Sequence, residues 1–139
     1  LGGHVLKNWS TTQSIIALSS GEAEFYSIVK GGSVGLGICS MMCDMGIICK
    51  PRINTDASAA KGIASRRGLG KVRHIEVTQI WIQDKVLRGE IELRKVGTND
   101  NLADALTKHV GGDELKWHMN QCKLSIVLGR HELMPNVAN

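Results

Sequence analysis

Apolar residues at helical spacing dominate the first third of the chain. Ser19, followed three residues later by Glu22, forms a capping box that marks a helix start. The pattern predicts one helix ending near Met45, with these residues on its apolar face: Phe25, Ile28, Val29, Leu36, Cys39 and Met42. Each glycine at positions 31, 32, 35 and 37 costs up to about 1 kcal/mol relative to alanine. A kink or a closely packed middle is therefore expected.

Shorter periodic segments surround this helix. Strands are predicted at residues 4–9, 51–56 and 90–96, and helices at 57–64, 72–87 and 101–108, with a loop at 66–71. Asn101 is the predicted N-cap of the last helix. This order predicts an α/β fold in which strand 53–56 is internal and parallel to strand 91–96, because a long helical connection joins parallel neighbours.

Length and composition fit one globular domain. The chain has 139 residues, of which 42% are hydrophobic, enough for a single core. Only 4% are aromatic, so the core must consist mainly of Ile, Leu, Val, Met and Ala. So few aromatic rings argue against an RNA-binding protein that works by base stacking.

The charge distribution favours a polyanionic partner. The net charge is +4, and no acid interrupts the basic run Lys61, Arg66, Arg67, Lys71 and Arg73. This run is either an electropositive nucleic-acid face or a solvated loop, and charge alone does not decide between them.

Cysteine and hydropathy patterns indicate an intracellular protein without a membrane partner. No C-x-x-C pair occurs, and the helical spacing of Cys39 and Cys43 predicts buried free thiols. No apolar run is long enough to span a bilayer, and no signal peptide is visible. The first residue is Leu1, so either the N-terminus was processed or the sequence is a piece of a longer chain.

Three acids stand where α/β folds place their chemistry. Glu24 lies near a helix start, Asp56 at a strand's carboxyl end, and Asp104 in the first turn of the last predicted helix. Clustered carboxylates suit a hard divalent cation, magnesium or manganese. The alternatives are that Glu24 and Asp104 stabilise helix dipoles and that Asp56 caps a helix.

Four segments of the chain carry specific motifs. Residues 16–26 (IALSSGEAEFY) read "ALSS-x-EAE" followed by an aromatic, and residues 54–60 place an Asp at a strand end before a small-residue helix. Residues 74–86 are similar to "HI-D/E-V…IRDKV", and residues 101–108 read "N-x-AD-x-LTK". All four resemble motifs of the ribonuclease H domain of copia-type retrotransposons and occur in that family's order, which is more specific than any one motif.

The resemblance implies a ribonuclease H-like fold, a mixed sheet with helices on both faces. Residues 1–110 would form this domain, and residues 111–139 a C-terminal extension. Glu24, Asp56 and Asp104 would be three of four catalytic carboxylates holding two Mg²⁺ ions, with Mn²⁺ as an alternative. Glu22 would only cap the helix. The fourth carboxylate, on the family's first strand, has no counterpart here, so the chain alone is expected to be inactive.

The implied substrate is the RNA strand of an RNA/DNA hybrid, cut during reverse transcription. Expected phosphate contacts are Arg66, Arg67, Lys71 and Arg73, with Ser20 and Asn54 as uncharged donors. The expected partner is the reverse transcriptase domain of the same polyprotein, in a cytoplasmic virus-like particle or the nucleus. Residues 97–101 lack the family's mobile histidine. His74 is interpreted as structural, and His109 is a weak candidate to replace that histidine.

Two other functions are compatible with the sequence. A catalytically dead ribonuclease H-like module would bind hybrid or act as a scaffold, as in a degenerate transposon copy. An integrase-type transposase core shares the fold family, but its last acid should be a Glu on the final helix. Asp104 stands there instead, which disfavours that function.

Overall fold

The computed structural model describes residues 5–70, 74–75, 79–126 and 129. These fall into two compact units. The larger unit is Thr11–Asn101, and the smaller unit combines Leu1–Ser10 with Leu102–Asn139.

The described residues form a mixed α/β structure, as predicted. The larger unit contains α1 (Ser20–Asp44), β1 (Arg52–Thr55), α2 (Ser58–Ala64), α3 (Trp81–Leu87), β2 (Glu92–Lys95) and a 3₁₀ turn at Thr98–Asp100. The smaller unit contains a 3₁₀ turn at Asp104–Leu106 and α4 (Gly112–Gln121).

Helix α1 begins and ends close to its predicted limits. Its N-cap is Ser19, whose hydroxyl accepts a hydrogen bond from the Glu22 N–H at 3.2 Å. The helix runs unbroken through its glycines. The neighbours of Gly32 explain why a glycine stands at that position. A Cβ at that position would lie 2.5 Å from Ile82 Cδ1 and 3.3 Å from Ile91 Cδ1. The middle of α1 is therefore closely packed.

Strands β1 and β2 pair in parallel, which confirms the predicted pairing. Arg52 lies opposite Glu92, and Thr55 lies opposite Lys95. Ile53 and Thr55 are more buried than their neighbours Arg52 and Asn54, as expected when one face of a sheet packs on a helix. Within the described ranges β1 pairs with β2 alone, so its internal position stays a prediction.

The core lies where α1 and α2 meet the sheet and α3. Its largest fully buried side chains are Phe25, Ile82 and Ile91, joined by the small residues Ala60 and Ala64. The buried hydrophobic residues in the described ranges include no leucine, so isoleucine carries more of the core than composition suggested. None of the described helices is long and apolar enough to cross a membrane.

The strand predicted at residues 4–9 and the first half of the helix predicted at residues 72–87 are wrong where the structure describes them. Residues 5–9 form no strand, because alternation alone supplies no partner strand for the backbone hydrogen bonds. The helix predicted at 72–87 is confirmed over Trp81–Leu87, whereas residues 74–75 and 79–80 are not α-helical and residues 72–73 and 76–78 lie outside the described part. β-Branched residues are frequent before Trp81, and they restrict side-chain rotamers in a helix.

The helix predicted at 101–108 is also wrong. A single 3₁₀ turn replaces it, and Asn101 ends the preceding 3₁₀ turn instead of capping a helix. Leu102 and Leu106 remain 39% and 47% exposed, so the segment buries no apolar face that would stabilise a longer helix.

The cysteines are free thiols, but their predicted burial holds only in part. Cys39 is half-buried, whereas Cys43 is exposed. Burial raises the pKa of the Cys39 thiol to about 11, and a hydrogen bond with Cys49 adds to the rise.

The close contact at Gly32 gives a stability prediction. Gly32→Ala should lower the free energy of unfolding by about 1–2 kcal/mol, because overpacking against Ile82 outweighs the gain in helix propensity. Gly31→Ala is the matched control, since a Cβ there meets nothing within 4 Å. It should stabilise the protein by up to about 1 kcal/mol. Urea unfolding of both variants tests this, and equal effects would contradict the packing argument.

Candidate functional site

The start of α1 is held by the buried carboxylate of Glu22. One oxygen accepts the Leu18 N–H at 2.9 Å, and the other lies 2.7 Å from His74 Nε2. Only half of the predicted capping box is confirmed: the Glu22 N–H donates to Ser19 Oγ, whereas the Glu22 carboxylate accepts from the Leu18 N–H and not from that of Ser19. His74 contacts this carboxylate and not the neighbouring backbone group that was predicted, so its structural role stays a prediction.

The same contacts perturb the acidity of Glu22. The hydrogen bond from His74 lowers its pKa, and the Leu18 N–H lowers it further, against the opposing effect of burial. The charged form of Glu22 is thus the one that the fold requires.

Glu24 differs from Glu22 in position and exposure. It lies beyond the first turn of α1, on the exposed side of the helix. Because Glu22 already supplies the acid of the first turn, the helix-dipole explanation is weaker for Glu24.

Asp56 follows directly on β1 and is half-buried. The predicted alternative, that it caps the next helix, is wrong. Ala57 is the N-cap of α2, no side chain caps that helix, and the Ala57 N–H donates to Thr55 Oγ1 at 3.2 Å. The role of the Asp56 carboxylate is therefore not that of a helix cap.

The structure brings the segments that carry Glu24 and Asp56 next to each other. A Cβ at Gly21, in the first turn of α1, would lie 3.0 Å from the Cβ of Ala59 in the first turn of α2. Asp56 immediately precedes Ala57, the N-cap of that helix, and Glu24 lies one turn after Gly21. The two acids are thus carried by adjacent helix starts.

Asp104 belongs to the smaller unit. Its side chain is 14% exposed and lies 2.7 Å from Lys108 Nζ. The proximity of Glu24, Asp56 and Asp104 stays a prediction. Among the residues with described positions, no three His, Cys, Asp or Glu side chains form a group able to hold a metal ion.

The basic run divides into cations with different roles. Arg66 is half-buried, and its Nη2 donates to the Leu69 carbonyl at 2.5 Å, so part of its guanidinium serves the loop itself. Arg67 is exposed, and Lys61 lies on α2. Lys71 and Arg73 lie outside the described residues.

Other polar residues near the strand ends were not predicted from the sequence. Lys95 Nζ donates to Ser58 Oγ at 2.5 Å, and exposed Arg94 lies opposite Asn54 in the sheet register. The sequence does not reveal the register of the two parallel strands. That register places Arg94 and Lys95 beside the segment that ends in Asp56. Ser20 is the first residue of α1 and is exposed, as is Asn54 on β1.

Comparison with known proteins gives matches among transposon polyproteins. The chain is 32% identical over 111 residues to the retrovirus-related Pol polyprotein from transposon RE1 of Arabidopsis thaliana, and equally so to that from transposon RE2. It is 28% identical over 103 residues to that from transposon TNT 1-94 of Nicotiana tabacum. The chain is homologous to a segment of Pol polyproteins.

These matches cover most of this chain and little of each relative. They span 73–78% of the chain but 8% of each polyprotein. No protein-family profile and no solved structure matches the chain. The matches therefore indicate that the chain corresponds to a small segment of a retroelement polyprotein.

The perturbed acidity of Glu22 predicts a pH-dependent stability. A lowered pKa in the folded state contributes stability above about pH 4.5, and this stability is lost as the pH falls through the folded pKa. Below that pH, wild-type protein should therefore lose unfolding free energy more steeply than Glu22→Gln. Urea unfolding between pH 7 and pH 3 measures this, with Glu24→Gln as a neutralising control on the same helix. Parallel pH profiles for wild type and Glu22→Gln would contradict it.

Proposed function

We propose that this chain is part of a ribonuclease H-like domain that hydrolyses the RNA strand of RNA/DNA hybrids in a retrotransposon Pol polyprotein. The observation that carries the proposal is that Glu24 and Asp56 stand on neighbouring segments, which the close approach of Gly21 to Ala59 brings together. The similarity to Pol polyproteins and the four ribonuclease H-like motifs support it.

Magnesium is the proposed cofactor, but the described residues do not form a complete site for it. Glu24 and Asp56 supply oxygen ligands suited to Mg²⁺, yet two ions need more carboxylates than these two. Asp104 stays the proposed third ligand, on the motif resemblance alone. When bound, the ions would supply an activated water and stabilise the leaving oxygen.

This chain's own residues would bind and orient the hybrid. Arg67 is an exposed cation on the loop after α2, and Lys61 is on α2 itself. Ser20 and Asn54 are exposed hydroxyl and amide donors on elements next to the two acids. We propose that Arg67 and the other cations of the run contact phosphates, and that the reverse transcriptase domain of the same polyprotein delivers the substrate.

A second candidate is a hybrid-binding module without catalysis. The observation that favours it is the lack of a three-carboxylate group among the described residues. Such a module would bind hybrid through the same cations but would not cleave it, whichever divalent metal ion is supplied. Either activity would operate in a cytoplasmic virus-like particle or in the nucleus, where reverse-transcribed nucleic acid is present.

Neutralising either acid should abolish cleavage. Glu24→Gln and Asp56→Asn are expected to lower the rate of RNA cleavage by about a hundredfold or more, because each would remove a metal ligand. The assay uses protein expressed with the coding sequence upstream of Leu1, a labelled hybrid and magnesium.

The control is Asp44→Asn, which removes an exposed acid at the opposite end of α1 and should leave cleavage unchanged. Cleavage that survives both Glu24→Gln and Asp56→Asn would show that these acids are structural. Tight hybrid binding without cleavage in magnesium or manganese would favour the module instead.

Arg67 gives a separate prediction about binding. Arg67→Ala should weaken hybrid affinity and reduce the slope of log affinity against log salt by about one, because one phosphate contact is lost. Arg88→Ala removes the same charge from an exposed arginine that lies 2.9 Å from Asp84, and it should change neither quantity. Fluorescence anisotropy at several salt concentrations measures both. Equal salt slopes for Arg67→Ala and wild type would mean that the basic run is a solvated loop.

A further inference from the structure

A glutamine on α3 is buried beneath the basic loop. Gln83 is only 4% exposed, although its amide is polar and the rest of the buried face of α3 is apolar. A polar group in this position destabilises a core unless its donors and acceptor are paired. The side chain therefore depends on specific partners.

Those partners are backbone groups of the segment that follows α2. The Gln83 Oε1 accepts the Gly68 N–H at 2.8 Å, and its Nε2 donates to the Gly68 carbonyl at 3.1 Å. The second Nε2 hydrogen reaches the Ile63 carbonyl at 2.9 Å, near the end of α2. One side chain thus satisfies both backbone groups of Gly68 and ties the loop to the helix before it.

The loop is built around this anchor. Gly68 and Gly70 have φ of +76° and +58°, a conformation that favours glycine. The Arg66 guanidinium packs against Gly70, 2.8 Å from where a Cβ would lie, and donates to the Leu69 carbonyl. Arg67 lies between the two fixed residues Arg66 and Gly68, and it is exposed.

We propose that Gln83 is a positioning residue that holds the loop Ser65–Gly70 in the conformation that presents Arg67 to nucleic-acid phosphates. This inference rests on the proposed function, since it concerns the same binding surface. An arginine on an ordered backbone loses less conformational entropy on binding than one on a mobile loop. Gln83 would act on affinity through Arg67 without touching the nucleic acid.

The test is a double-mutant cycle on hybrid binding, in protein expressed with the coding sequence upstream of Leu1. Gln83→Leu removes all three hydrogen bonds and should weaken affinity for a short labelled RNA/DNA hybrid by about three- to tenfold. In an Arg67→Ala background the same change should weaken it by less than about twofold, because its target is already gone. Gln13→Leu is the matched control, since exposed Gln13 also donates to a backbone carbonyl, that of Ala23, at 2.7 Å.

A second variant guards against misfolding of Gln83→Leu. Gln83→Glu keeps the shape and the acceptor for the Gly68 N–H, but as a carboxylate it cannot donate to the two carbonyls. Its affinity should be below that of wild type at neutral pH and should recover towards it as acid protonates the carboxyl, which restores one donor. Thermal unfolding confirms that each variant is folded under the binding conditions.

The outcomes separate this inference from the proposed function. If wild type binds hybrid but the effects of Gln83→Leu and Arg67→Ala are additive, or Gln83→Leu has no effect, the positioning role is overturned and the binding function stands. If wild type binds no hybrid at any salt concentration, the proposed function is overturned and the inference with it. Non-additive losses with pH-dependent recovery of Gln83→Glu support both.

Discussion

The larger unit depends on how closely α1 approaches the sheet at Gly32. With no side chain at that position, the tips of Ile82 and Ile91 reach the helix backbone, and Ile53 of β1 lies within contact distance as well. Three elements that are distant in sequence therefore share one point of contact. A helix of this length with a side chain there would stand further from the sheet and leave the isoleucines less well packed.

Two buried polar side chains then attach irregular segments to this core. Glu22 holds the backbone before α1 and the side chain of His74, and Gln83 holds the loop after α2. In each case the polar group is paired, so burial constrains geometry without leaving an unsatisfied donor or acceptor. Two exposed side chains of the proposed function lie next to these anchors in the sequence. Glu24 follows Glu22 by two residues, and Arg67 directly precedes Gly68, whose backbone Gln83 holds. Rigid attachment of an otherwise loop-like surface is a common requirement of binding sites.

The features that local patterns encode were predictable from the sequence. The Ser19–Glu22 capping box marked the start of α1, and the two hydrophobic runs marked strands whose parallel pairing followed from the helices between them. Periodic patterns whose apolar residues stay exposed in the structure gave wrong predictions of helix and strand. Residues 101–108 look helical, yet Leu102 and Leu106 stay exposed, and the alternation at residues 5–9 finds no partner strand. Contacts between distant residues, such as His74 with Glu22 or Gln83 with Gly68, have no signature in spacing at all. The acids of the candidate site were found through their motifs, whereas Lys95 and Arg94 required knowledge of the strand register.

That register has a consequence for misfolding. Side chains alternate between faces along a strand, so a slip of one residue would turn Arg52 and Asn54 towards α1 and expose Ile53. It would also separate Arg52 from Glu92, which now lie 3.0 Å apart across the pair. Since a long helical connection joins these strands, no tight turn sets their alignment as it would in a hairpin. The correct register must therefore be set by a few alternating side chains on each strand. Each of these side chains makes the shifted pairing less stable than the observed one.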